Sequence, residues 1–310
     1  MIPRIFFLII ILFLLSQLLL IFKLSFVFFY KYYFIREKNL KKTFGNFDTI
    51  CISSYDPEIR KQFAIQYAKS KYNLLLLGDE SIESTYNYIT KYHPRVNCHY
   101  FIVKKNNFTK LYRYLSKFNI RLFITYHQDM SAYEPFHETP HTIIKDTLET
   151  NILKHIKLTQ TFIKYATLNK KKCGIVNISN EVFSKGSLFS YGDNSVQLLP
   201  LYQSASAYKF IFNESISKEY SKLIDFLNIQ LSPFHNECLP KKNFLYISPK
   251  KIVNRVRCMI GHYKGTHHIS TTHSLFSIMI HIHPRLRDKI LNHISKKICK
   301  RWMTTRTSLE

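Results

Sequence analysis

Residues 48–79 read DTICISSYDPEIRKQFAIQYAKSKYNLLLLGD, and the fold is decided here. Asp48–Ser54 and Asn73–Gly78 are apolar runs of strand length, while Phe63, Tyr67 and Ala68 between them recur at helical spacing. Strand, turn, helix and second strand make a βαβ unit of the kind that opens a nucleotide-binding sheet. Such a unit keeps three glycines in its first turn, so that the backbone can approach a pyrophosphate and the helix can pack close to the strand. The turn from Ile52 to Arg60 contains none.

The rhythm continues outward from this unit. Further strands are expected at His99–Val103, Leu122–Thr125, Gly174–Ser179 and Asn228–Leu231, with another through Gly265–Ser270. Helical segments separate them, the longest over Thr142–Ala166 with Leu148, Ile152, Leu153, Ile156, Phe162 and Ile163 as its apolar stripe. Alternating strands and helices with right-handed crossovers predict an α/β fold, a doubly wound, Rossmann-like parallel sheet covered on both faces.

Composition narrows the partners. The 310 residues are 46% hydrophobic, which suits a folded chain, and 45 basic against 20 acidic residues give a net charge of +25. Such an excess favours an anionic neighbour: a phosphorylated cofactor, nucleic acid or a membrane face. Nucleic acid is not expected, because no zinc-finger, helix-turn-helix or RNA-binding signature accompanies the charge. Only seven glycines occur. The six cysteines lack ligand or disulfide spacing, so reduced thiols and no metal site are expected.

Both ends of the chain point to a membrane. Ile5–Phe22 is apolar apart from Ser16 and Gln17, and the apolar character resumes after Lys23 through Phe29, long enough to span a bilayer of about 20 residues. A signal peptide competes with a retained anchor, but the run is long and no small-residue cleavage site follows it. Arg4 precedes the run, whereas Lys23, Lys31, Arg36, Lys38, Lys41 and Lys42 follow it. That asymmetry places the bulk of the chain in the cytosol and predicts that the sequons at Asn107, Asn177 and Asn213 stay unmodified. Beyond Pro284, Leu286, Ile290, Leu291, Ile294, Ile298 and Trp302 form an apolar stripe beside seven basic residues. This helix suits either an anionic membrane surface or the domain itself. The expected organisation is an anchor at 1–30, a basic linker at 31–45, the α/β domain at 46–283 and the basic helix and tail at 284–310.

From about Asn46 onward the chain resembles the short-chain dehydrogenase/reductase family. It is most similar to the membrane-anchored 17-beta-hydroxysteroid dehydrogenases and the very-long-chain 3-oxoacyl-CoA reductases of the endoplasmic reticulum. The resemblance rests on YAKSKYNLLLLG, ETNILKHIKLTQ, GIVNIS, YQSASAYKFIFNESISKEY, IQLSPF and SPKKIV. It implies an N-terminal anchor in the endoplasmic reticulum membrane, contact with membrane lipid, a lipid or acyl-CoA ligand, and a homodimer or partner enzyme.

The resemblance also assigns roles by position. The three glycines of the first turn are replaced by Ser54, Glu58 and Arg60, and Glu58 and Asp56 bring negative charge to the phosphate position. Asp79, at the end of the second strand, stands where NADPH-preferring relatives carry a cation; a carboxylate there suits the ribose of NAD or is a solvated loop acid. The cofactor-supporting NNAG-like turn reads Thr125, Tyr126, His127, Gln128. Tyr202 matches the proton-donating tyrosine, but the lysine that should follow four residues later is Ser206. Lys209 lies two turns from Tyr202. Asn151 matches the relay asparagine, and the orienting serine falls on Ser179 or its neighbour Asn180, with Ser184 and Ser187 open as alternatives.

Without that lysine a tyrosine of pKa about 10 is a poor acid near neutrality. No cofactor, or weak NAD(P) binding, is therefore expected, with little or no oxidoreductase activity. The alternative is an active NAD(P)H-dependent 3-oxoacyl-CoA or 17-beta-hydroxysteroid reductase using Tyr202 and Asn151. His137, Glu138 and His141 spell HExxH, but Pro140 interrupts the helix that a zinc site of this type needs.

Overall fold

The computed structural model describes residues 2–104, 107–127, 135–180, 200–231, 247–272, 274–275 and 289. The 284–310 helix, Gln128, Ser184 and Ser187 therefore lie outside the described residues, apart from Lys289. The chain forms two units, Met1–Glu37 and Lys38–Glu310. The first contains helix α1 (Ile2–Tyr33), on which Leu18, Leu19, Phe22, Phe26 and Tyr33 are exposed. Among the described residues no helix is long and apolar enough to cross a membrane.

The second unit begins before the first strand. In α2 (Leu40–Phe44), the side-chain oxygen of Asn39 accepts from the amides of Lys41 and Lys42, satisfying two of the free donors of the first turn. Leu40 and Phe44 are buried in the domain core. Residues assigned by sequence to a basic linker thus anchor this unit through their apolar members.

The expected alternation follows. In chain order come β1 (Thr49–Ser54), α3 (Pro57–Lys69), β2 (Asn73–Gly78), α4 (Ile82–Tyr92), β3 (Cys98–Ile102), α5 (Phe108–Leu115) and β4 (Ile120–Tyr126). After them come α6 (His141–Leu148), α7 (Lys154–Leu168), β5 (Cys173–Asn180), α8 (Pro200–Glu219), β6 (Ile224–Leu231), α9 (Pro249–Met259) and β7 (Gly265–His268). All strand pairs are parallel, in the order β3-β2-β1-β4-β5-β6-β7. This is a doubly wound, Rossmann-like sheet whose order reverses between β1 and β4, the switch point at which open sheets of this kind form a crevice outside the strands' C-terminal ends.

Burial explains why the central strands read as unbroken apolar runs. Leu74 and Leu76 point into the layer that includes α2, α3, α4 and α9, while Leu75 and Leu77 point into the layer that includes α5 and α7. A strand covered on both faces has no solvent side to mark with polar residues. Ile50 and Ile52 face the first layer and Cys51 the second, in the same alternation.

Two expectations are corrected. β4 and β6 start earlier than their apolar runs, because Arg121 donates to the carbonyls of Phe44 and Lys172, and Asp225 is paired with Lys172 and Lys264. Charges satisfied at the N-terminal edge let the ladder extend past them. The Thr142–Ala166 helix is not one regular stripe: a π turn over Glu149–Leu153 separates α6 from α7. The wider turn shifts the register, leaving Leu148 and Leu153 40% and 41% exposed while Asn151 is buried.

Candidate functional site at the C-terminal edge of the sheet

The crevice has two sides, and the residues singled out by sequence divide between them. Ser54, Arg60 and Asp79 gather where β1 and β2 end beneath α3 and α4. Asn151, Ser179 and Tyr202 belong to the opposite side of the sheet, covered by α7 and α8.

On the α3 side, the turn is closed by its own polar groups. Asp56 is the N-cap of α3, and its carboxylate accepts from the amide of Ile59 at 2.8 Å, followed by Pro57 in the first turn. A helix N-terminus attracts anions through its free amides and dipole. Here that position already carries a carboxylate, with Glu58 adding a second acid in the same turn.

Arg60 completes the closure. Its guanidinium has no solvent exposure. Nη1 donates to the Ser54 carbonyl at 2.7 Å, Nη2 to Ser81 Oγ at 2.8 Å and Nε to Thr85 Oγ1 at 3.3 Å. These bonds tie the turn after β1 to the start of α4. Gly78 leaves space for the group: a β-carbon there would lie 3.2 Å from Arg60 Nη1 and 3.3 Å from the Ser54 carbonyl. Burial lowers the Arg60 pKa, partly offset by Asp79 and Asp56. Asp79 is 3.9 Å from Nη1 but half exposed, and it accepts from the backbone and hydroxyl of Ser81. It serves chiefly to shape the turn into α4.

On the α8 side, a polar layer lies above an apolar one. Cys51, Phe123, Ile175 and Phe226 belong to the buried core of this face. One step towards the C-terminal ends, Ser53 pairs in register with Thr125, Thr125 with Asn177 and Asn177 with Asn228. Thr125 Oγ1 donates to Asn177 Oδ1 at 2.7 Å, and Asn177 Nδ2 donates to Asn228 Oδ1 at 3.0 Å. Ser179 is two residues beyond Asn177 on this same face.

Helices α7 and α8 supply the roof of that layer. Tyr202, Ser206, Lys209 and Asn213 are buried along one face of α8, and the π turn that buries Asn151 packs against this helix. Lys209 is aimed not at Tyr202 but at β4: its amine donates to the His127 carbonyl at 2.8 Å. His127 Nε2 is 2.9 Å from Ser53 Oγ, and His155 Nε2 is 2.9 Å from Asn213 Oδ1. The edge of the Tyr55 ring meets the His127 ring at 4.9 Å, and Lys154 lies over Tyr55 at 4.6 Å.

Burial dominates the electrostatics of this group. It pushes the Lys209 ammonium down to about 7. His155 falls to about 4, by burial and then by the nearby Lys209. His127 falls well below the ordinary histidine range, again chiefly by burial, with His155, Lys209 and Lys154 adding to it. Both imidazoles are therefore neutral at physiological pH, and Lys209 titrates far below an ordinary lysine. The arrangement can donate and accept hydrogen bonds and can exchange one proton at Lys209.

In the sequence His127 belongs only to an altered turn and Asn213 only to a sequon, and Ser53 and His155 fall in no motif. A signal was present: Ser53, Thr125, Asn177 and Asn228 are polar residues that interrupt the apolar positions of one face of neighbouring strands. The HExxH pattern falls apart in three dimensions, since His137 and Glu138 belong to a 3-10 turn and His141 opens α6 behind Pro140. Buried Cys98 and Cys173 are pushed up to about 12 and about 11, far from thiolate chemistry.

Neither a protein-family model nor a curated protein matches the chain. Solved structures do match. A 7beta-hydroxysteroid dehydrogenase superposes with a TM-score of 0.64 at 12% identity, covering 83% of this chain and 99% of that one. A short chain dehydrogenase from Salmonella enterica serovar Typhi gives 0.58 at 15% identity, over 72% and 96%. An NADH-dependent reductase complexed with NAD gives 0.55 at 12% identity, over 73% and 96%. At these identities the likeness establishes the shared fold.

Proposed function

We propose that this chain is a degenerate member of the short-chain dehydrogenase/reductase family, nearest its membrane-anchored hydroxysteroid and 3-oxoacyl-CoA reductases, in which oxidoreductase activity is weak or lost and ligand binding remains. The carrying observation is the closed turn: Asp56 occupies the N-terminus of α3, and Arg60 is bonded into the gap between β1 and α4. A dinucleotide would have to displace a buried guanidinium and bring its phosphates beside two carboxylates. Ser206 in place of lysine, with Lys209 turned to the His127 carbonyl, removes the second requirement of the chemistry.

The partner is a lipid or acyl-CoA ligand, a second copy of the chain or another enzyme, at the cytosolic face of the endoplasmic reticulum membrane. The apolar run of Ile5–Phe22 and the exposed Leu18, Leu19, Phe22 and Phe26 on α1 support anchoring. The basic residues after the run support the orientation. Asn177 and Asn213 are buried and hydrogen-bonded, and Asn107 bonds to the Ile102 carbonyl. Absence of glycan at these sites therefore does not discriminate orientation. Protease protection in intact microsomes does: the proposal requires the domain to be digested from outside.

Calorimetric titration of the full chain with NADH and NADPH tests the central claim. No binding, or binding weaker than millimolar, is expected; micromolar binding of either would overturn it. Removal of residues 1–44 is unsuitable for this experiment, because it takes Leu40 and Phe44 out of the core. Should a nucleotide bind, turnover of a long-chain 3-oxoacyl-CoA that is lost in Tyr202→Phe would establish an active reductase instead.

A further inference from the structure

Every strand pair is parallel, so the segments that lead into the strands all gather at one edge of the sheet, opposite the crevice. Each of the first six brings an exposed cation there: Lys42 on α2 before β1, Lys71 before β2, Arg95 before β3, Lys117 before β4, Lys170 before β5 and Lys222 before β6. Among the described residues none of the six is paired with a carboxylate. The acids nearby are engaged: Asp48 accepts from the Thr49 hydroxyl, Glu219 bonds Tyr220, and Asp225 is held by Lys172 and Lys264. The opposite edge has the other sign. Its turns after β1 and β2, 55–58 and 79–81, carry Asp56, Glu58, Asp79 and Glu80 and no basic residue.

Helix C-termini attract cations by themselves, which accounts for a lysine in a last turn. It does not account for Lys71 and Lys170. These residues follow the C-caps of α3 and α7 with φ of 60° and 48°, the left-handed conformation that glycine adopts without the cost of a β-carbon. The amide of Tyr72 reaches the Tyr67 carbonyl, and that of Lys171 the Ala166 carbonyl, closing the two helix ends around them. Glycine would fit both turns with less strain, so fold stability does not explain lysine at either.

The chain also arrives from α1 at this edge. Residues 34–39 separate α1 from α2, a reach of no more than about 25 Å when fully extended. In turn, α2 and the residues after it are fixed to the edge: Arg121, at the start of β4, donates to the Phe44 carbonyl, and Asn119 to the Asn46 carbonyl.

We propose that the N-terminal edge of the sheet docks on an anionic membrane surface, with the opposite edge and its candidate site turned to the water. This rests on the anchoring proposed above, and adds which face of the domain meets lipid and which headgroup charge it needs. Anionic headgroups attract basic residues held within a Debye length of the surface, and here six segments of a rigid sheet present them together. The acidic turns after β1 and β2 are repelled by the same surface, which sets the direction of docking. A ligand of the crevice then enters from the aqueous side.

The test is lysine footprinting of the full chain in vesicles, by acetylation and mass spectrometry. Vesicles of phosphatidylcholine are compared with vesicles that also contain about 30% phosphatidylserine. With the anionic lipid, acetylation of Lys71, Lys170 and Lys222 is expected to slow at least about fivefold. The rates should recover in about 0.5 M salt. Lys104, exposed after β3 at the opposite edge, should keep its rate. The double variant Lys71→Gly/Lys170→Gly should melt no lower than the native chain, yet lose most of the protection at Lys117 and Lys222. Equal slowing at Lys104, slowing that does not depend on phosphatidylserine, or none at the edge lysines would each overturn the docking. A double variant that melts well below the native chain would also overturn it, by assigning the two lysines to the fold. Protection by single-stranded RNA where anionic vesicles leave these lysines open would make nucleic acid the occupant instead. Failure of the chain to co-float with neutral vesicles would overturn the anchoring proposal, while protection by added anionic vesicles would still decide the docking edge.

Discussion

Arg60 Nη1 and the carbonyl of Ser54 are joined by a 2.7 Å hydrogen bond inside the turn that follows the first strand. Both residues stand where the sequence resemblance expects glycines, and here the side chain of one satisfies the backbone of the other. The substitutions are coupled: the cavity that glycines would leave is filled, and its exposed carbonyl is paired.

Arg60→Ala should therefore destabilise the domain by about 2–3 kcal/mol, through three lost hydrogen bonds and the cavity left behind. Arg60→Lys should recover less than half, because an ammonium cannot reproduce the planar fork that reaches Ser54, Ser81 and Thr85. Urea denaturation reads both changes. A midpoint unchanged in Arg60→Ala would show that the latch has no energetic role.

Asp56→Ala should have effects of opposite sign on stability and on anion affinity. Loss of the cap bond to Ile59 costs about 1 kcal/mol, whereas removal of a carboxylate from the α3 N-terminus favours phosphate. Thermal melting with and without pyrophosphate tests this pairing: a lower melting temperature should be accompanied by greater protection by the anion.

Stability should rise with pH across two windows. His155 has a folded pKa of about 4, below its ordinary value of about 6.5, so the unfolded chain binds more protons between these values. The corresponding stability is present above pH 6.5 and is lost as pH falls to 4, amounting to about 3 kcal/mol. Lys209, folded at about 7, adds a second rise from about pH 7 towards 10 by the same linkage. Denaturation midpoints should therefore keep increasing between pH 7 and 9, and Lys209→Met should flatten that slope.

Gly174→Ala should destabilise by about 1–3 kcal/mol, because cores resist added volume. The new β-carbon would lie 2.7 Å from Phe44 Cζ and 3.1 Å from Leu122 Cδ1. Phe44→Leu in the same background should return part of the loss by vacating the ring's space, a non-additive pair that a double-mutant cycle measures.

Much of the fold was readable because its causes are local or periodic. The Leu74–Leu77 run announces a strand covered on both faces, and Phe63, Tyr67 and Ala68 announce one buried helix face. The π turn was not readable, since Glu149–Leu153 differs from ordinary helix only in how its backbone closes against α8. The site was readable as a set of replaced positions. Its geometry was not: along α8, Lys209 looks like a cation too far from Tyr202, whereas its amine ends on a carbonyl 82 residues away in sequence.

The sequence by itself determined the βαβ order and the parallel sheet, and left the turn from Ile52 to Arg60 without a glycine. Apolar periodicity and residue identity suffice for that, because they act over a few residues at a time. Tertiary structure alone decided what the replacements do. Only packing brings Arg60 to Ser54, Ser81 and Thr85, and only burial turns Lys209 into an amine that titrates near neutrality, because desolvation depends on neighbours from every layer of the fold.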